Sequence, residues 1–155
     1  MTQKTFFIRA EACTGCEICR LTCSLVKEKA VNPSRARIAV ERLVMDGLML
    51  PHVCLNCKNP PCRAACRRHA IVKDEATGWV TINRERCNNC ALCVAACPYA
   101  AIVTAADGEV LLCDVCGGSP ACVEMCPTGA IRFAERDKGV AGPTDTAAVD
   151  IFKTE

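Results

Sequence analysis

The chain has 155 residues and a formal charge of +2, and it is 51% apolar but only 4% aromatic. Sixteen cysteines replace the large side chains that usually fill a core, a density typical of disulfide scaffolds and metal proteins. The near-neutral charge gives no support to nucleic-acid binding, and no stretch approaches the ~18 apolar residues of a membrane span.

The opening "MTQKTFFIRAEACTGC" carries no export signal, which predicts a cytoplasmic location and reduced, metal-binding thiols rather than disulfides. Within it "TFFIRAEAC" reads as a strand entering motif I, "CTGCEICRLTC", with Cys13, Cys16, Cys19 and Cys23. An insertion follows over 24–53. There "ARIAVERLVM" reads as a strand, Asp46-Gly47 as a hairpin turn, and "LMLPHV" as apolar cover for a cluster or a face for a partner. Motif II, "CLNCKNPPCRAAC", holds Cys54, Cys57, Cys62 and Cys66. A hairpin about Thr77-Gly78 leads to motif III, "CNNCALCVAACP", with Cys87, Cys90, Cys93 and Cys97. A second hairpin, about Asp107-Gly108, leads to motif IV, "CDVCGGSPACVEMCP", with Cys113, Cys116, Cys122 and Cys126. The tail, 136–155, ends in a short apolar hook, "AAVDIF", that reads as an arm for docking on a neighbouring subunit.

Every cysteine belongs to one of the four motifs, and Ala-Ile recurs four and five residues beyond motifs II, III and IV. Each repeat therefore reads as strand, cysteine loop, short helix, strand. Motifs I and III follow C-x2-C-x2-C-x3-C. Three thiolates on such a tight loop reach three corners of one [4Fe–4S] cubane, while the fourth points to a second cluster. The fourth cysteine is expected at the start of a short helix, with Pro98 and Pro127 in its first turn. Motifs II and IV lengthen the second gap with "KNPP" and "GGSPA", residues suited to a tight detour. Zinc is the rival ligand, since C-x2-C pairs hold it in zinc ribbons. A ribbon needs no third cysteine two residues on, so four triplets with four remote singles fit crossed cluster ligation better. Loaded with four cubanes, sixteen thiolates would bring the chain to a net charge of about −6.

With these motifs the chain resembles the four-cluster iron–sulfur subunits of molybdenum and tungsten oxidoreductases: formate dehydrogenases, dimethyl sulfoxide and nitrate reductases, and electron-transfer subunits of hydrogenases. The likeness spans about residues 5–135. It implies an α+β fold of two merged bacterial-type two-cluster ferredoxin units. The domain 1–135 would then comprise an outer unit, 5–30 with 105–135 (motifs I and IV), and an inner unit, 50–104 (motifs II and III). The resemblance implies crossed ligand sets. Cluster 1 takes Cys13, Cys16, Cys19 and Cys126; cluster 2 takes Cys113, Cys116, Cys122 and Cys23. Cluster 3 takes Cys54, Cys57, Cys62 and Cys97; cluster 4 takes Cys87, Cys90, Cys93 and Cys66. Through "NPSRARI" after motif I the chain is most similar to the small iron–sulfur subunit of bacterial tungsten-dependent aldehyde oxidoreductases. That implies a large molybdenum- or tungsten-pterin catalytic subunit and a flavin subunit that meets NAD as partners. It also implies copies of the subunit stacking into a filament.

All cysteines are needed as ligands and no hydrolytic or phosphate-binding motif is present, so the chain reads as a non-catalytic electron-transfer subunit. The alternatives are a free polyferredoxin, or a subunit of a formate dehydrogenase or hydrogenase. A sensing module would need an output domain, for which there is no room. Motif II departs from the pattern: "CRRHAI" lacks the proline after the fourth cysteine and has His69 where motif IV has Gly129. His69 and His52 read as structural rather than ligating. The arginines of motif II read as solvent- or partner-facing, or as tuning the potential of a nearby cluster.

Overall fold

Thr5, Phe6, Phe7 and Ile8 favour extended backbone and form strand β1 (Lys4–Ile8). In the computed structural model, which describes residues 4–135, β1 pairs antiparallel with the last strand, β8 (Ile131–Glu135). Phe6 lies opposite Phe133 with ring centroids 5.0 Å apart, and this contact closes motif I against motif IV. Three hairpins complete the strands. They are β2 (Ala39–Leu43) with β3 (Leu48–His52), β4 (Ile71–Lys73) with β5 (Val80–Ile82), and β6 (Val103–Thr104) with β7 (Val110–Leu111). Their turns fall at Asp46-Gly47, Thr77-Gly78 and Asp107-Gly108 as read from the sequence, where Gly47, Gly78 and Gly108 supply left-handed φ of 65°, 73° and 85°.

Among the described residues the α-helices are α1 (Ile18–Glu28), α2 (Pro61–Ala65), α3 (Leu92–Ala95) and α4 (Ala121–Glu124). Apart from α1 each is about one turn, too short to hold its shape without tertiary contacts. The placement of the fourth cysteine differs from the sequence reading. Cys62, Cys93 and Cys122, the third cysteines, stand in α2, α3 and α4, while Cys66, Cys97 and Cys126 follow the helices at their C-terminal ends. Pro98 and Pro127 thus lie beyond the helices, in the turns that follow. The prolines that start helices are Pro61, the first residue of α2, and Pro60 and Pro120, which cap α2 and α4. A proline's missing N–H costs nothing at either position.

The core joins Phe6, Ile38, Val53, Val80, Val110, Val115 and Ile131 to the thiols of Cys19, Cys23, Cys54, Cys62, Cys93, Cys113 and Cys122. The cysteines are therefore packing residues as well as donors. The insertion is clamped back onto the body by charge. Arg35 pairs with Glu28, Asp107 and Glu109, and Arg37 with Glu28, tying α1 and the segment after it to the β6–β7 hairpin. Hydrogen bonds from Arg35, joined by Arg37, hold the Glu28 carboxyl below its ordinary range. The docking arm read in 136–155 lies outside the described residues. Among the described residues no helix is long and apolar enough to cross a membrane.

Candidate metal centres

Each motif bends its first cysteine pair around one left-handed residue. Gly15, Asn56, Asn89 and Val115 occupy the same place, two residues after the first cysteine, with φ of 69°, 49°, 56° and 51°. Glycine and asparagine enter this region at low cost, whereas a β-branched residue does so only when its surroundings hold it there. Val115 is fully buried, and its N–H donates to the Sγ of Cys113 at 3.4 Å. At Gly15 a Cβ would meet the Met49 side chain at 3.0 Å, so the turn also lets β3 close over motif I.

The bends gather the sixteen thiols around four small, mainly apolar cavities. Site 1 is lined by Cys13, Cys16, Cys19 and Cys126, with Val40 and Pro51 of the insertion. Site 2 is lined by Cys23, Cys113, Cys116 and Cys122, with Ile38 and Val53. Site 3 is lined by Cys54, Cys57, Cys62 and Cys97, with Leu55, Val80 and Leu112. Site 4 is lined by Cys66, Cys87, Cys90 and Cys93, with Ile71, Ile82 and Arg68. "LMLPHV" thus serves as cover: Pro51 lines site 1 and Val53 site 2. His69 and His52 line none of the four; His69 is exposed, and buried His52 donates through Nδ1 to the carbonyl of Tyr99 at 2.9 Å.

None of the sixteen cysteines is in a disulfide. Among the described residues no three His, Cys, Asp or Glu side chains converge closely enough to hold a single metal ion. Four thiols around an apolar cavity are instead the donor set of an iron–sulfur cluster, which is larger than one ion and takes a thiolate at each iron.

The helices link the sites in pairs. Cys19 and Cys23 stand one turn apart on α1, yet line sites 1 and 2; Cys122 and Cys126, at α4, line sites 2 and 1. Cys62 and Cys66 at α2, and Cys93 and Cys97 at α3, do the same for sites 3 and 4. Between the pairs two chain segments cross. Val53 and Cys113 line site 2, while their neighbours Cys54 and Leu112 line site 3, and the thiols of Cys113 and Cys54 interact electrostatically. The sites therefore run in the order 1, 2, 3, 4. Cys16 and Cys90 are exposed at the two ends, and Cys54 and Cys113 are buried at the centre.

Burial sets the thiol acidities. It pushes Cys54 and Cys122 up to about 12, Cys19 and Cys62 up to about 11, and Cys113 well above its ordinary value. Such thiols stay protonated unless a metal holds the thiolate, so loading of the sites releases protons. Cys66 and Cys126 go the other way. Burial raises them, but the backbone N–H groups of the turn after the helix outweigh it, including those of Ile71 and Ala70 at Cys66 and of Ile131 at Cys126. The Ala70 N–H lies 3.2 Å from the Sγ of Cys66, and the Ala101 N–H lies 3.4 Å from that of Cys97. His69, Ala100 and Gly129 make this turn with φ of 49°, 47° and 63°.

Two features escape a cysteine-centred reading. The side-chain oxygens of Asn56 and Asn89 accept from the N–H of Val80 (2.9 Å) and Val110 (3.1 Å), tying each cysteine loop to the strand before the next motif. The repeat of asparagine two residues after the first cysteine in motifs II and III was the available signal. At site 2, Lys27 pairs with Asp114 and the Arg37 N–H donates to the Sγ of Cys23 at 3.3 Å, contacts between segments far apart in sequence.

The model of a 4Fe-4S dicluster domain matches residues 45–136. The chain belongs to this family. It is 43% identical over 120 residues to the aliphatic sulfonate oxidoreductase, polyferredoxin-like subunit, of Pyrococcus furiosus, covering 77% of this chain and 69% of that one. It is 31% identical over 140 residues to the thiosulfate reductase electron transfer subunit PhsB of Salmonella typhi, covering 81% of this chain and 72% of the relative. The fold is similar to a component of the active site complex BamBC of benzoyl coenzyme A reductase. That likeness has a TM-score of 0.53 and 24% identity over 99% of this chain and 88% of that one. As a 4Fe-4S dicluster protein the chain binds [4Fe–4S] clusters. It is an iron–sulfur electron-transfer subunit of the oxidoreductase type, and its relatives are electron-transfer rather than catalytic subunits.

Proposed function

We propose that the chain holds four [4Fe–4S] clusters in the crossed sets named above and relays electrons between a molybdenum- or tungsten-pterin catalytic subunit and a flavin subunit that meets NAD. The observation that carries the reading is the unbroken row of four cavities, each lined by four cysteines, with helices α1 to α4 spanning neighbouring sites. The layout of two merged two-cluster units, outer and inner, is supported by the β1–β8 pair around motifs I and IV and by the β4–β5 hairpin between motifs II and III. When bound, the clusters supply one-electron chemistry. The chain's residues position them, order them in a line and keep water from the central pair. Exchange with partners is left to the ends, at Cys16 and Cys90.

A tungsten-dependent aldehyde oxidoreductase is the catalytic partner best supported by the segment "NPSRARI" and by a polyferredoxin-like oxidoreductase subunit among the relatives. Stacking of copies into a filament and a cytoplasmic location belong to the same reading. The test is anoxic affinity purification from the native cell with metal analysis of the co-eluting proteins. Tungsten with a large subunit is the expected result. Molybdenum would point to a formate dehydrogenase or a reductase, and nickel to a hydrogenase. A chain that emerges alone with about sixteen irons would be a free carrier.

A further inference from the structure

The two ends of the row differ in charge. Between Asp46 and Asp74 the sequence has no acidic residue but carries Lys58, Arg63, Arg67, Arg68 and Lys73. Three of these arginines sit in and directly after motif II, beside Cys66 of site 4, and Arg86 stands directly before Cys87 of the same site. Arg68 lines the site, and its Nε donates to the carbonyl of Arg86 at 3.4 Å, bringing the two basic segments together. Arg63, Arg67, Arg68 and Arg86 are all exposed and, among the described residues, form no ion pair. Five other cations, Arg20, Lys27, Arg35, Arg37 and Arg84, have carboxylate partners. Site 1, at the other end, is flanked by charges of both signs: Glu11, Glu17 and Glu124, with Arg20 paired to Glu17 and Arg132 exposed nearby.

Beside this basic rim lie the exposed Cys90 and Leu92, which is 39% exposed and also lines site 4. The motif III segment that carries them, residues 87–106, has no charged residue at all. An apolar, thiol-bearing window with Arg68 in its lining, Arg86 bonded to it and Arg67 next in sequence has the form of a docking face: apolar contact with charge at its border. From this we infer that the site 4 end is the docking face for an acidic redox protein, which exchanges single electrons through the window at Cys90. These arginines, with one carboxylate among them at Glu85, steer an acidic surface toward the window and slow a basic one against the negative charge of the loaded chain, because rim charges act chiefly on the rate of encounter. The occupant is a redox protein rather than a nucleic acid, because the rim borders the exposed thiol of site 4.

The inference rests on the electron-transfer reading, and one experiment separates the two. The cluster-loaded protein is reduced and mixed anoxically with either an acidic [2Fe–2S] ferredoxin or a basic cytochrome c. In each reaction one electron passes to the acceptor and no proton moves. Iron content and bleaching on reduction are measured first on the same sample. Their loss would overturn the electron-transfer reading and the docking face with it. With both intact, the second-order rate with ferredoxin should fall about tenfold or more from low to high salt, and the rate with cytochrome c should not fall. Arg67→Glu with Arg86→Glu should lower the ferredoxin rate by a similar factor at low salt and leave the iron content unchanged. A ferredoxin rate indifferent to salt would overturn the acidic partner while leaving the electron-transfer reading standing. So would a double variant that loads iron and exchanges with ferredoxin as fast as the native chain. Duplex DNA binding the protein more tightly than ferredoxin would also overturn it. The salt series on the native protein decides the matter even where the double variant fails to load iron.

Discussion

At the residue scale, two side chains in left-handed backbone have opposite consequences. His69 holds φ of 49° where motif IV has Gly129, and it is exposed and lines no site. Glycine tolerates that conformation where other residues lose roughly 1–2 kcal/mol. His69→Gly should therefore raise the unfolding free energy by about 1 kcal/mol with iron content unchanged, as read by anoxic denaturant unfolding. A drop in iron would instead make His69 a ligand. Asn56 holds φ of 49° and stabilises the fold through its side-chain oxygen, which satisfies the buried N–H of Val80. Asn56→Ala should cost about 1–3 kcal/mol in the same measurement, the usual penalty for an orphaned buried donor. The ligand crossing is also decided residue by residue. Cys23→Ser and Cys122→Ser should remove the same paramagnetic signal, and Cys19→Ser a different one, although Cys19 and Cys23 share helix α1.

At the element scale, the strand pair β1–β8 carries the outer half of the molecule. Phe6 is fully buried against Phe133, so Phe6→Ala should destabilise the chain by about 3–5 kcal/mol, seen as a lower midpoint in anoxic unfolding. The clamp from Arg35 to Asp107 and Glu109 holds the β6–β7 hairpin, and Arg35→Ala should speed amide exchange over residues 103–111 while leaving β4–β5 as before. The elements were legible where their causes are local. Asp46-Gly47 and Asp107-Gly108 mark hairpins by turn chemistry alone, and the cysteine spacings mark the loops. The helices of motifs II to IV lie about a turn earlier in the chain than the spacing predicts. Pro98 and Pro127 are permitted either in a first turn or just past a helix end, and spacing does not separate those two uses. Pro60, Pro61 and Pro120 were the true start signals. The Asn56 clamp and the Arg35 network join residues 24 and more than 70 positions apart, which no local pattern records.

At the scale of the whole molecule, the chain has few large side chains and four cavities lined by its own core thiols. Stripping the iron would leave those cavities as voids between helices that, apart from α1, are a turn long. Removal by an iron chelator under mild oxidation should therefore abolish the cooperative unfolding transition, followed by near-ultraviolet circular dichroism, rather than leave a folded apo form.

The pairing of β1 with β8 also governs how the molecule comes into being on the ribosome. Sites 3 and 4 have all eight of their cysteines once residue 97 has been made, and these lie within a span of 44 residues. Sites 2 and 1 must wait for Cys122 and Cys126, with Cys13 and Cys23 held open while about a hundred residues between are made. Assembly is thus nested: the inner pair can be furnished first, and the outer pair is sealed around it when β8 at last meets β1.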